Sequence, residues 1–412
     1  MLAAIMPLMV TTVESYPSVR YRAAVGEGLD GVVRVVAQGF YGSGALLYDG
    51  RAVLTSAHLL VSAQARDVTV DFETREGRLS LTAYKIAIHP QYDASSLSND
   101  LALVWLGRAA PLTAERYSLY RGSDEVGQAF RMVGYGVPGS GQSGYDVQYS
   151  GLPVRQKASN TFDAEMSALK KVMGSLMPWT PLPQSQLLAD FDNGTPQQDA
   201  LGQLLGQQHT GMGLSEGLIS PGDSGGPAFI RNAVAGVASY SFRAFSYNAF
   251  PDVDSMANSS FGEVAAWQRV SFYQQWIDET LRLHYPDAPT RREDVKLSVV
   301  EGHSGTSYAY FWLEFTGVRL HAAQVLSVDY ATRDGTAKAG EDYLPVSGTL
   351  KLYPGRDYAV IPVEIVGDLY AEPAETFYLD VFNPVGGSFG LGVVTLTAMR
   401  TILDDDGGPP FG

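Results

Sequence analysis

Cysteine is absent from this sequence of 412 residues. Its absence excludes a disulfide framework, a thiol nucleophile and a cysteine-ligated zinc site. Basic residues are also few, because 29 Lys and Arg face 44 Asp and Glu and give a formal net charge of −15. Nucleic acids and anionic membranes bind basic surfaces, so we expect neither as a partner. No apolar run approaches the ~20 residues of a membrane-spanning helix, so we expect no membrane span.

The composition and length predict a folded chain with more than one domain. Hydrophobic residues make up 45% of the sequence, which also contains 44 Gly and 22 Pro. At roughly 150 residues per domain, the length predicts two or three domains. A polar stretch with one proline at 287–294 is interpreted as a linker. We therefore expect main domains at 21–286 and 295–407, preceded by a segment at 1–20 and followed by a short tail at 408–412.

The N-terminal segment carries a weak targeting signal. Met1–Val10 is apolar enough to be the core of a signal peptide, but it lacks a basic start and a small-residue cleavage site. We interpret this segment as the remnant of a signal peptide or pro-segment. On that interpretation the protein is expected to be bacterial and secreted, either extracellular or periplasmic.

Strand-like runs dominate both predicted domains. Short apolar or alternating runs separated by Gly, Asp and Asn occur at 30–155 and again at 295–406. This pattern predicts an all-β chain built from an antiparallel barrel or sandwich and, at the C-terminus, a second sandwich. Residues 178–217 are rich in Gln, Gly and Pro, and they are predicted to form a long surface excursion between strands.

Two segments have helical spacing instead. Apolar residues recur every three to four positions across 162–176, where Asn160 or Thr161 is the expected N-cap. The same spacing recurs across 270–281, and Pro286 is expected to close that helix. Both segments are therefore predicted to be amphipathic helices within the first domain.

The hexapeptide Gly222-Asp-Ser-Gly-Gly-Pro227 is the most informative stretch for chemistry. Glycines around Ser224 allow a tight turn whose N–H groups point the same way. Such donors can hold an oxyanion while the hydroxyl attacks a carbonyl carbon. Because a neutral hydroxyl is a weak nucleophile, it needs a base, and the base needs an orienting carboxylate.

Two further polar residues stand beside apolar strand-like runs. His58 closes the block Thr55-Ser-Ala-His58, directly after a predicted strand, and Asp100 opens the run Asp100-Leu-Ala-Leu103. Either residue alone would more often be structural. Their order with Ser224, however, fits a general base, its orienting carboxylate and a nucleophile. The remaining histidines have no such context and are interpreted as structural or solvated: His89, His209, His284, His303 and His321.

At these three blocks the chain resembles the trypsin/chymotrypsin-like serine peptidase family, and the resemblance extends over the first domain. It implies a double antiparallel β-barrel that cleaves protein or peptide substrates and needs no cofactor for the chemistry. It also implies that His58 acts as general base and acid, that Asp100 orients it and that Ser224 is the nucleophile. The N–H groups of Gly222 and Ser224 would form the oxyanion hole, and Ser239 would support Asp100.

The resemblance extends to substrate specificity. Leu218 matches the floor of the specificity pocket, where an Asp would select Lys or Arg. Tyr240 and Ser241 match the pocket wall, and Ser239 is expected to contact the substrate backbone as well. We therefore expect an apolar or small side chain before the cleaved bond.

Activation by cleavage is a further implication of the resemblance. Asp223 matches the carboxylate that pairs, in the family, with an amine freed by cleavage. We expect Asp223 to be buried and to need such a cation. Cleavage after Arg20 or Arg22 would free an amine near the expected place.

The chain departs from the animal members of the family in two ways. Leu59 and Ser220 occupy positions where those members have disulfide cysteines, and residues 155–217 are longer than the usual loop there. Within this insertion, the acidic turn Ala189-Asp-Phe-Asp-Asn-Gly194 suits a calcium loop, because oxygen ligands on a flexible turn bind a hard cation. A solvated turn is the favoured interpretation.

The second domain has its own ordered motifs, from Val299-Val-Glu-Gly302 to Ile402-Leu-Asp-Asp-Asp406. They resemble a Calx-β domain, which implies an immunoglobulin-like β-sandwich that binds Ca²⁺ at one end. Carboxylates gathered on loops repel one another unless a cation lies between them. Gly367 replaces an acidic residue of the best calcium-binding members, and a solvated acidic edge is the alternative. The candidate ligands by motif match are Glu301, Asp334, Asp368, Glu372, Asp404, Asp405 and Asp406, with Glu375 as a weaker match.

Three functional hypotheses follow. The favoured one is a secreted serine endopeptidase that forms an acyl-enzyme at Ser224 and carries an accessory calcium-binding β-sandwich. The alternative from another class is a non-catalytic adhesion or matrix-binding protein that uses a peptidase-like scaffold. The third is an esterase-like hydrolase with the same triad. A surface or matrix partner of the Calx-β domain is a further expectation.

Overall fold

The protein was analysed as a computed structural model, which describes residues 11–14 and 18–406. Strands account for 40% of the residues and helices for 10%, so the all-β prediction is confirmed. Internal contacts divide the chain into two units. The first reaches to Leu47 and continues over Arg51–Gln274, and the second comprises Tyr48–Gly50 and the residues from Gln275 onward. The boundaries drawn from the sequence, at 286 and 295, stay a prediction.

The first unit contains the blocks around His58, Asp100 and Ser224, and we call it the peptidase-like unit. Its first part is a closed antiparallel barrel. Six strands pair in the order β2-β3-β4-β7-β6-β5. Its interior is apolar and includes Val35, Leu46, Phe72 and Val104, because alternate residues of each strand point inward. The strands are β1 (Thr11–Thr12), which lies outside this barrel, β2 (Val32–Ala37), β3 (Phe40–Leu46), β4 (Ala52–Thr55), β5 (Val68–Thr74), β6 (Gly77–Ile88) and β7 (Ala102–Leu106).

The second part of this unit is built on a seven-stranded antiparallel sheet. Its core contains Phe130 and Phe162, whose ring centroids lie 4.0 Å apart, and Trp267 packs edge-on against both. The strands are β8 (Ala129–Gly134), β9 (Gly139–Ser140), β10 (Gly144–Tyr145), β11 (Gln156–Thr161), β12 (Ala164–Glu165), β13 (Gln186–Asp190), β14 (Gly217–Leu218), β15 (Pro227–Ile230), β16 (Ala233–Arg243) and β17 (Glu263–Arg269). The large sheet has the order β11-β8-β15-β16-β17-β13-β12, and a small sheet has the order β10-β9-β1-β14.

Both predicted helices form. The described chain has three α-helices, α1 (Met166–Met173), α2 (Ala200–Leu205) and α3 (Val270–Arg282), and 3₁₀ turns at Ala65–Asp67, Gly174–Leu176, Gly213–Ser215 and Arg292–Asp294. No helix in the described ranges has both the length and the apolar character needed to cross a bilayer.

The predicted N-cap of the first helix is wrong. Glu165 precedes α1, whereas Asn160 and Thr161 lie in β11. The Asn160 side chain is buried and donates to the carbonyl oxygens of Asp190 and Gly217, at 2.7 and 3.0 Å. It therefore joins neighbouring strands, a role that local sequence signals of helix capping do not reveal.

The predicted surface excursion at 178–217 is also wrong in part. This stretch contains β13, whose five residues are all buried and which pairs with both β12 and β17. It also contains α2, whose apolar side chains Leu201 and Leu204 are buried. The polar and glycine-rich residues that suggested a loop surround these short buried elements, so composition averaged over the stretch obscured them.

The C-terminal unit is a β-sandwich, as predicted. Five strands pair in the order β18-β24-β23-β20-β21 and two form the pair β19-β22, and Phe311, Tyr343, Ile361 and Phe377 pack between them. The first strand, β18, runs parallel to the last, β24. The strands are β18 (Ser298–Val300), β19 (Gly305–Glu314), β20 (Leu326–Asp334), β21 (Ser347–Leu352), β22 (Tyr358–Gly367), β23 (Glu375–Val385) and β24 (Thr395–Leu403).

Candidate active site

The structure brings His58 and Asp100 into direct contact. His58 lies three residues after β4, and Asp100 lies two residues before β7, which pairs with β4 in the barrel. The Nδ1 atom of His58 lies 2.7 Å from Asp100 Oδ2, and the backbone N–H of His58 donates to Asp100 Oδ1 at 2.8 Å. The Asp100 side chain is fully buried, whereas the imidazole is 28% exposed. Of these two side chains, only that of His58 is therefore accessible to solvent.

A third donor fixes the carboxylate of Asp100. A bulge in β16 between Ala238 and Tyr240 leaves Ser239 outside the regular pairing with β17. Bulges of this kind redirect a side chain, and Ser239 Oγ donates to Asp100 Oδ2 at 2.5 Å. The amide of Gln268 in turn donates to Ser239 Oγ at 3.3 Å. Asp100 is thus in contact with both parts of the unit, with His58 after β4 and with Ser239 in β16.

The turn that carries Ser224 packs against β3 and the end of β4, the strand that precedes His58. The backbone N–H of Ser43 donates to the Ser224 carbonyl at 2.8 Å, and Ser43 Oγ donates to the Gly222 carbonyl at 2.9 Å. Gly225 has a φ of +84°, and a Cβ there would lie 2.1 Å from Thr55 Oγ1, so only glycine fits. The turn therefore lies against the strand end from which the chain continues to His58.

Ser224 is only partly buried, although its neighbours on both sides are buried. The backbone N–H groups of Gly222 and Ser224 donate to no acceptor among the residues that the structure describes. Gly222 has a φ of +98°, a conformation that glycine adopts without strain. The hydroxyl and the two donors are thus available at one turn.

Asp223 is buried, as expected, but its partners are not cationic. Its carboxylate accepts from the N–H groups of Gly136 and Ser220, at 2.8 and 2.9 Å, within the described chain. A Cβ on Gly134 or Gly136 would lie about 2 Å from these carboxylate oxygens, so the glycines leave the space that Asp223 fills. Burial raises the pKa of Asp223 to about 7. Backbone amides thus occupy the place where we expected an amine.

The predicted cleavage region is paired to the unit by its backbone. Tyr21 is buried, its carbonyl accepts from the N–H of Lys157 at 2.8 Å, and Ala23 N–H donates to the Arg155 carbonyl at 3.0 Å. Upstream, β1 is also buried and pairs parallel to β9 and antiparallel to β14. The predicted signal core at residues 1–10 lies outside the described residues.

The predicted specificity residues contact other parts of the protein. Leu218 is fully buried and belongs to the apolar core of the second half. Tyr240 donates its hydroxyl to Gln186 Oε1 at 2.9 Å, and Ser241 bonds to Ser259 at 3.1 Å. Ser239 contacts the carboxylate of Asp100. An acidic pocket floor is therefore absent at Leu218, and the other three residues have protein partners.

The sandwich brings some of its predicted calcium ligands together. Carboxylate oxygens of Glu301, Asp404 and Asp406 lie within 4.8 Å of one another. Glu301 Oε1 and Asp406 Oδ2 are buried and have no hydrogen-bond partner among the described residues. Burial raises the pKa of Glu301 to about 7, and the charges of Asp368, Asp404 and Glu372 add to this shift. These carboxylates repel one another in the way that a cation would relieve.

A second group was only partly anticipated. Oxygens of Asp342, Glu372 and Glu375 also lie within 4.8 Å of one another. Burial and the neighbouring Asp342 raise the pKa of Glu375. The motif match missed Asp342, although the acidic pair Glu341-Asp342 in the sequence is a signal that could have drawn attention to it.

Three other predicted positions have protein partners. Asp334 accepts from the Tyr343 hydroxyl at 2.6 Å and from the Ala339 N–H at 3.0 Å, and it belongs to neither cluster. Asp368 accepts from the N–H of Tyr370 at 2.7 Å. Asp405 lies with Asp406 beside His303, whose Nδ1 contacts Asp406. We had interpreted His303 as structural or solvated.

Two family models match parts of this chain. Residues 24–173 match the trypsin family and residues 313–406 match the Calx-β domain. The trypsin match contains His58 and Asp100, and Ser224 lies beyond its end. The resemblances read from the sequence are therefore confirmed at the level of domains.

Curated relatives match short stretches of this chain. A sodium/calcium exchanger, Calx, from Drosophila melanogaster is 42% identical over 81 residues, which cover 19% of this chain and 8% of the relative. Sodium/calcium exchanger 2 from Homo sapiens is 39% identical over 92 residues, 19% of this chain and 10% of the relative. The chain thus spans about a tenth or less of these proteins' length.

Two solved structures are similar to this chain at low identity. Mouse neuropsin, a serine protease, is 17% identical with a TM-score of 0.45, and the alignment covers 63% of this chain and 98% of neuropsin. An inactivated protease paralogue of the scabies mite is 16% identical with a TM-score of 0.46, covering 64% and 97%.

Proposed function

We propose that the chain is a serine endopeptidase that hydrolyses peptide bonds in proteins through an acyl-enzyme at Ser224. The observation that carries the proposal is the buried Asp100, bonded to His58 at both the ring and the backbone, beside the glycine-rich turn of Ser224. A carboxylate on Nδ1 holds the imidazole in the tautomer whose Nε2 can accept a proton. The histidine and the serine are partly exposed and so could react with a substrate, while the buried carboxylate would orient the histidine.

In the proposed reaction, Ser224 Oγ attacks the scissile carbonyl carbon and its proton passes to His58 Nε2. His58 then gives this proton to the leaving amine as the C–N bond breaks, and an ester to Ser224 remains. Water, deprotonated by His58, attacks the ester and releases the acid, restoring the Ser224 hydroxyl. The N–H groups of Gly222 and Ser224 would donate to the oxyanion of both tetrahedral intermediates.

The C-terminal sandwich is proposed to bind Ca²⁺ as its accessory ion. The donor set supports this assignment, because Glu301, Asp404 and Asp406 supply only oxygen atoms, and two of those oxygens are buried without a partner. Glu372, Glu375 and Asp342 would hold a further ion nearby. The ion would neutralise mutually repelling carboxylates and so stabilise the loops of the sandwich. It takes no part in the proposed peptide hydrolysis.

The protein is proposed to act outside the cytoplasm, in the periplasm or the extracellular medium of a bacterium. A sandwich that gains stability from Ca²⁺ suits a compartment outside the cytoplasm, where extracellular modules bind this ion even at low affinity. The same sandwich would offer a surface or matrix partner an attachment site.

The test is covalent labelling of the full chain with a fluorophosphonate, read by intact mass. We expect one adduct, lost in Ser224→Ala and retained in Ser80→Ala, which removes a hydroxyl that donates to Asp71 in the barrel. Absence of any adduct, with circular dichroism showing a folded chain, would overturn the proposal and favour the scaffold hypothesis. Hydrolysis of esters without hydrolysis of peptides would instead favour the esterase hypothesis.

A further inference from the structure

Five carboxylates meet inside the peptidase-like unit, away from the Ser224 turn. Asp190 ends β13, and Asp192 and Asp199 lie between β13 and α2, while Asp163 precedes β12 and Glu216 precedes β14. All five side chains are buried: Asp163, Asp190, Asp192, Asp199 and Glu216. Oxygens of Asp190, Asp192 and Asp199 lie within 4.8 Å of one another, close enough to share one ion.

Backbone donors fix the orientation of three of these carboxylates. Asp190 Oδ2 accepts from Leu201 N–H at 2.6 Å, and Asp199 caps α2 by accepting from Gly202 N–H at 2.6 Å. Glu216 Oε1 accepts from the N–H of Asp192 at 2.9 Å. Glu216 Oε2 also accepts from the N–H of Met212, and Asp199 Oδ2 accepts from the N–H of His209 at 3.3 Å, so backbone amides of the fold hold this group in place.

Asp192 supplies the observation that points to a ligand. Its side chain is 1% exposed, and both of its carboxylate oxygens are buried without a hydrogen-bond donor among the described residues. Asp163 Oδ2 is likewise buried without a hydrogen-bond donor among the described residues. A buried carboxylate is normally paired with donors or bound to a metal, because desolvation without compensation is costly.

The surroundings offer little positive charge to this group. Among the described residues, the one basic side chain within ion-pair distance is His209, whose Nδ1 lies 3.7 Å from Asp163 and 3.9 Å from Asp192. Burial, followed by the charges of the neighbouring carboxylates, raises the pKa values of Asp163 and Asp192 far above the usual range. Without a cation, the cluster could hold its geometry only by keeping protons.

We propose that Asp163, Asp190, Asp192, Asp199 and Glu216 form a binding site for a hard divalent cation, Ca²⁺ by preference. Carboxylate oxygens on short connections between β13, α2 and β14 match the oxygen ligands and flexible geometry that Ca²⁺ prefers. Zn²⁺ would favour nitrogen or sulfur ligands. The site is separate from the carboxylate clusters of the sandwich, and it does not depend on the proposed peptidase activity.

Occupancy of this site would stabilise the second half of the unit. Glu216 directly precedes β14, and Gly217 accepts from the buried Asn160 of β11. Asp199 begins α2, and Asp190 ends β13. One ion would thus join β13, the start of α2 and the residues beside β12 and β14, and because it binds only the folded state it would stabilise that state.

The decisive variant is Asp192→Asn, which removes one buried charge while keeping the side-chain shape. Melting temperatures of the full chain are measured in EDTA and in Ca²⁺. In EDTA we expect the variant to melt at or above the wild type, because it lacks one repelling charge. In Ca²⁺ at a hundredfold excess over its Kd, we expect the wild-type unit to gain about 5–10 °C and the variant to gain far less, so the order reverses.

Bound metal provides the second measurement. After equilibrium dialysis against Ca²⁺, elemental analysis is expected to show one ion fewer per chain in Asp192→Asn than in the wild type. Asp404→Asn, in the sandwich, is the matched control and should leave the peptidase-like transition and its calcium response unchanged. If Asp192→Asn does not fold, Asp163→Asn takes its place in both measurements.

Three outcomes would overturn the proposal. A variant that is more stable than the wild type by the same margin with and without Ca²⁺ would mean that the carboxylates share protons instead. Equal calcium content in the wild type and Asp192→Asn would remove the site. Parallel titrations with Mg²⁺ and Zn²⁺ complete the test, and stabilisation by Zn²⁺ at lower concentration than Ca²⁺ would contradict the assigned class of ion.

Discussion

Asp100 binds His58 twice, through the ring Nδ1 at 2.7 Å and through the backbone N–H at 2.8 Å. The two contacts use different carboxylate oxygens, so rotation of either side chain would break one of them. A histidine held in this way has a fixed ring plane and a fixed tautomer. The predictions below begin from this pair.

Replacing Asp100 with Asn tests the role of the buried carboxylate. We expect kcat for a peptide substrate to fall by about four orders of magnitude, because an amide neither stabilises the imidazolium nor holds the productive tautomer. Steady-state kinetics and the rate of fluorophosphonate labelling are the measurements. A loss of less than tenfold, in a chain with unchanged circular dichroism, would contradict the role given to Asp100.

Ser239→Ala tests whether Ser239 positions Asp100. A hydrogen bond to a charged group contributes about 1.5–3 kcal/mol, so we expect kcat to fall by about 10- to 100-fold, with KM little changed. Ser80→Ala is the matched control, because Ser80 Oγ also donates to a carboxylate, that of Asp71 at 2.6 Å, which is not part of the proposed triad. Equal effects of the two substitutions would show that Ser239 has only a structural role.

The stability of the peptidase-like unit is expected to depend on the protonation of Asp223. Burial raises its folded-state pKa to about 7, well above the unfolded value near 3.9. Its contribution to stability is therefore fully present below pH 4 and is lost as the pH rises through 7. Between pH 4 and 8, the melting temperature of Asp223→Asn should rise relative to that of the wild type as the pH rises. A difference that is independent of pH would contradict this assignment.

Calcium is expected to stabilise the sandwich through Glu301. At a hundredfold excess over its Kd, the ion should raise the melting temperature of this ~110-residue unit by about 10–20 °C. Glu301→Gln should abolish most of this increase. Asp334→Asn is the control, because Asp334 bonds to Tyr343 and Ala339 and lies in neither cluster. It should lower stability without reducing the calcium increment, and the opposite pattern would refute the assignment of ligands.

The substrate preference is expected to be apolar or small. The position matched to the pocket floor is Leu218, which lies in an apolar core and offers no carboxylate to a substrate cation. A panel of ester substrates that differ in the residue before the cleaved bond measures this directly. Faster turnover of Arg or Lys esters than of Phe, Leu or Ala esters would show the prediction to be wrong.

Local motifs explain which features could be predicted from sequence. The blocks around His58, Asp100 and Ser224 each combine a strand edge or a glycine turn with one polar residue, so their chemistry is readable within a few positions. The helix at Val270–Arg282 was predictable for the same reason, since its apolar spacing is local.

Features that depend on contacts between distant residues could not be predicted from local sequence patterns. Gln186–Asp190 is a short buried strand whose pairing partners, β12 and β17, cannot be read from its own composition. Asn160 looked like a helix cap and instead joins strands. The carboxylates of Asp163 and Glu216 meet Asp192 only because the second half of the unit folds, so the acidic turn at 189–194 alone favoured a solvated loop.

The parallel pairing of β18 with β24 has a mechanical consequence. Ser298, Val299 and Val300 lie opposite Thr401, Ile402 and Leu403, so the two ends of the sandwich run side by side in the same direction. Tension applied to those ends would load the interstrand hydrogen bonds in shear, together, rather than opening them one after another. Glu301 and Asp404 directly follow the two strands. An ion bound between them would link the C-terminal ends of β18 and β24 and so resist their separation under load.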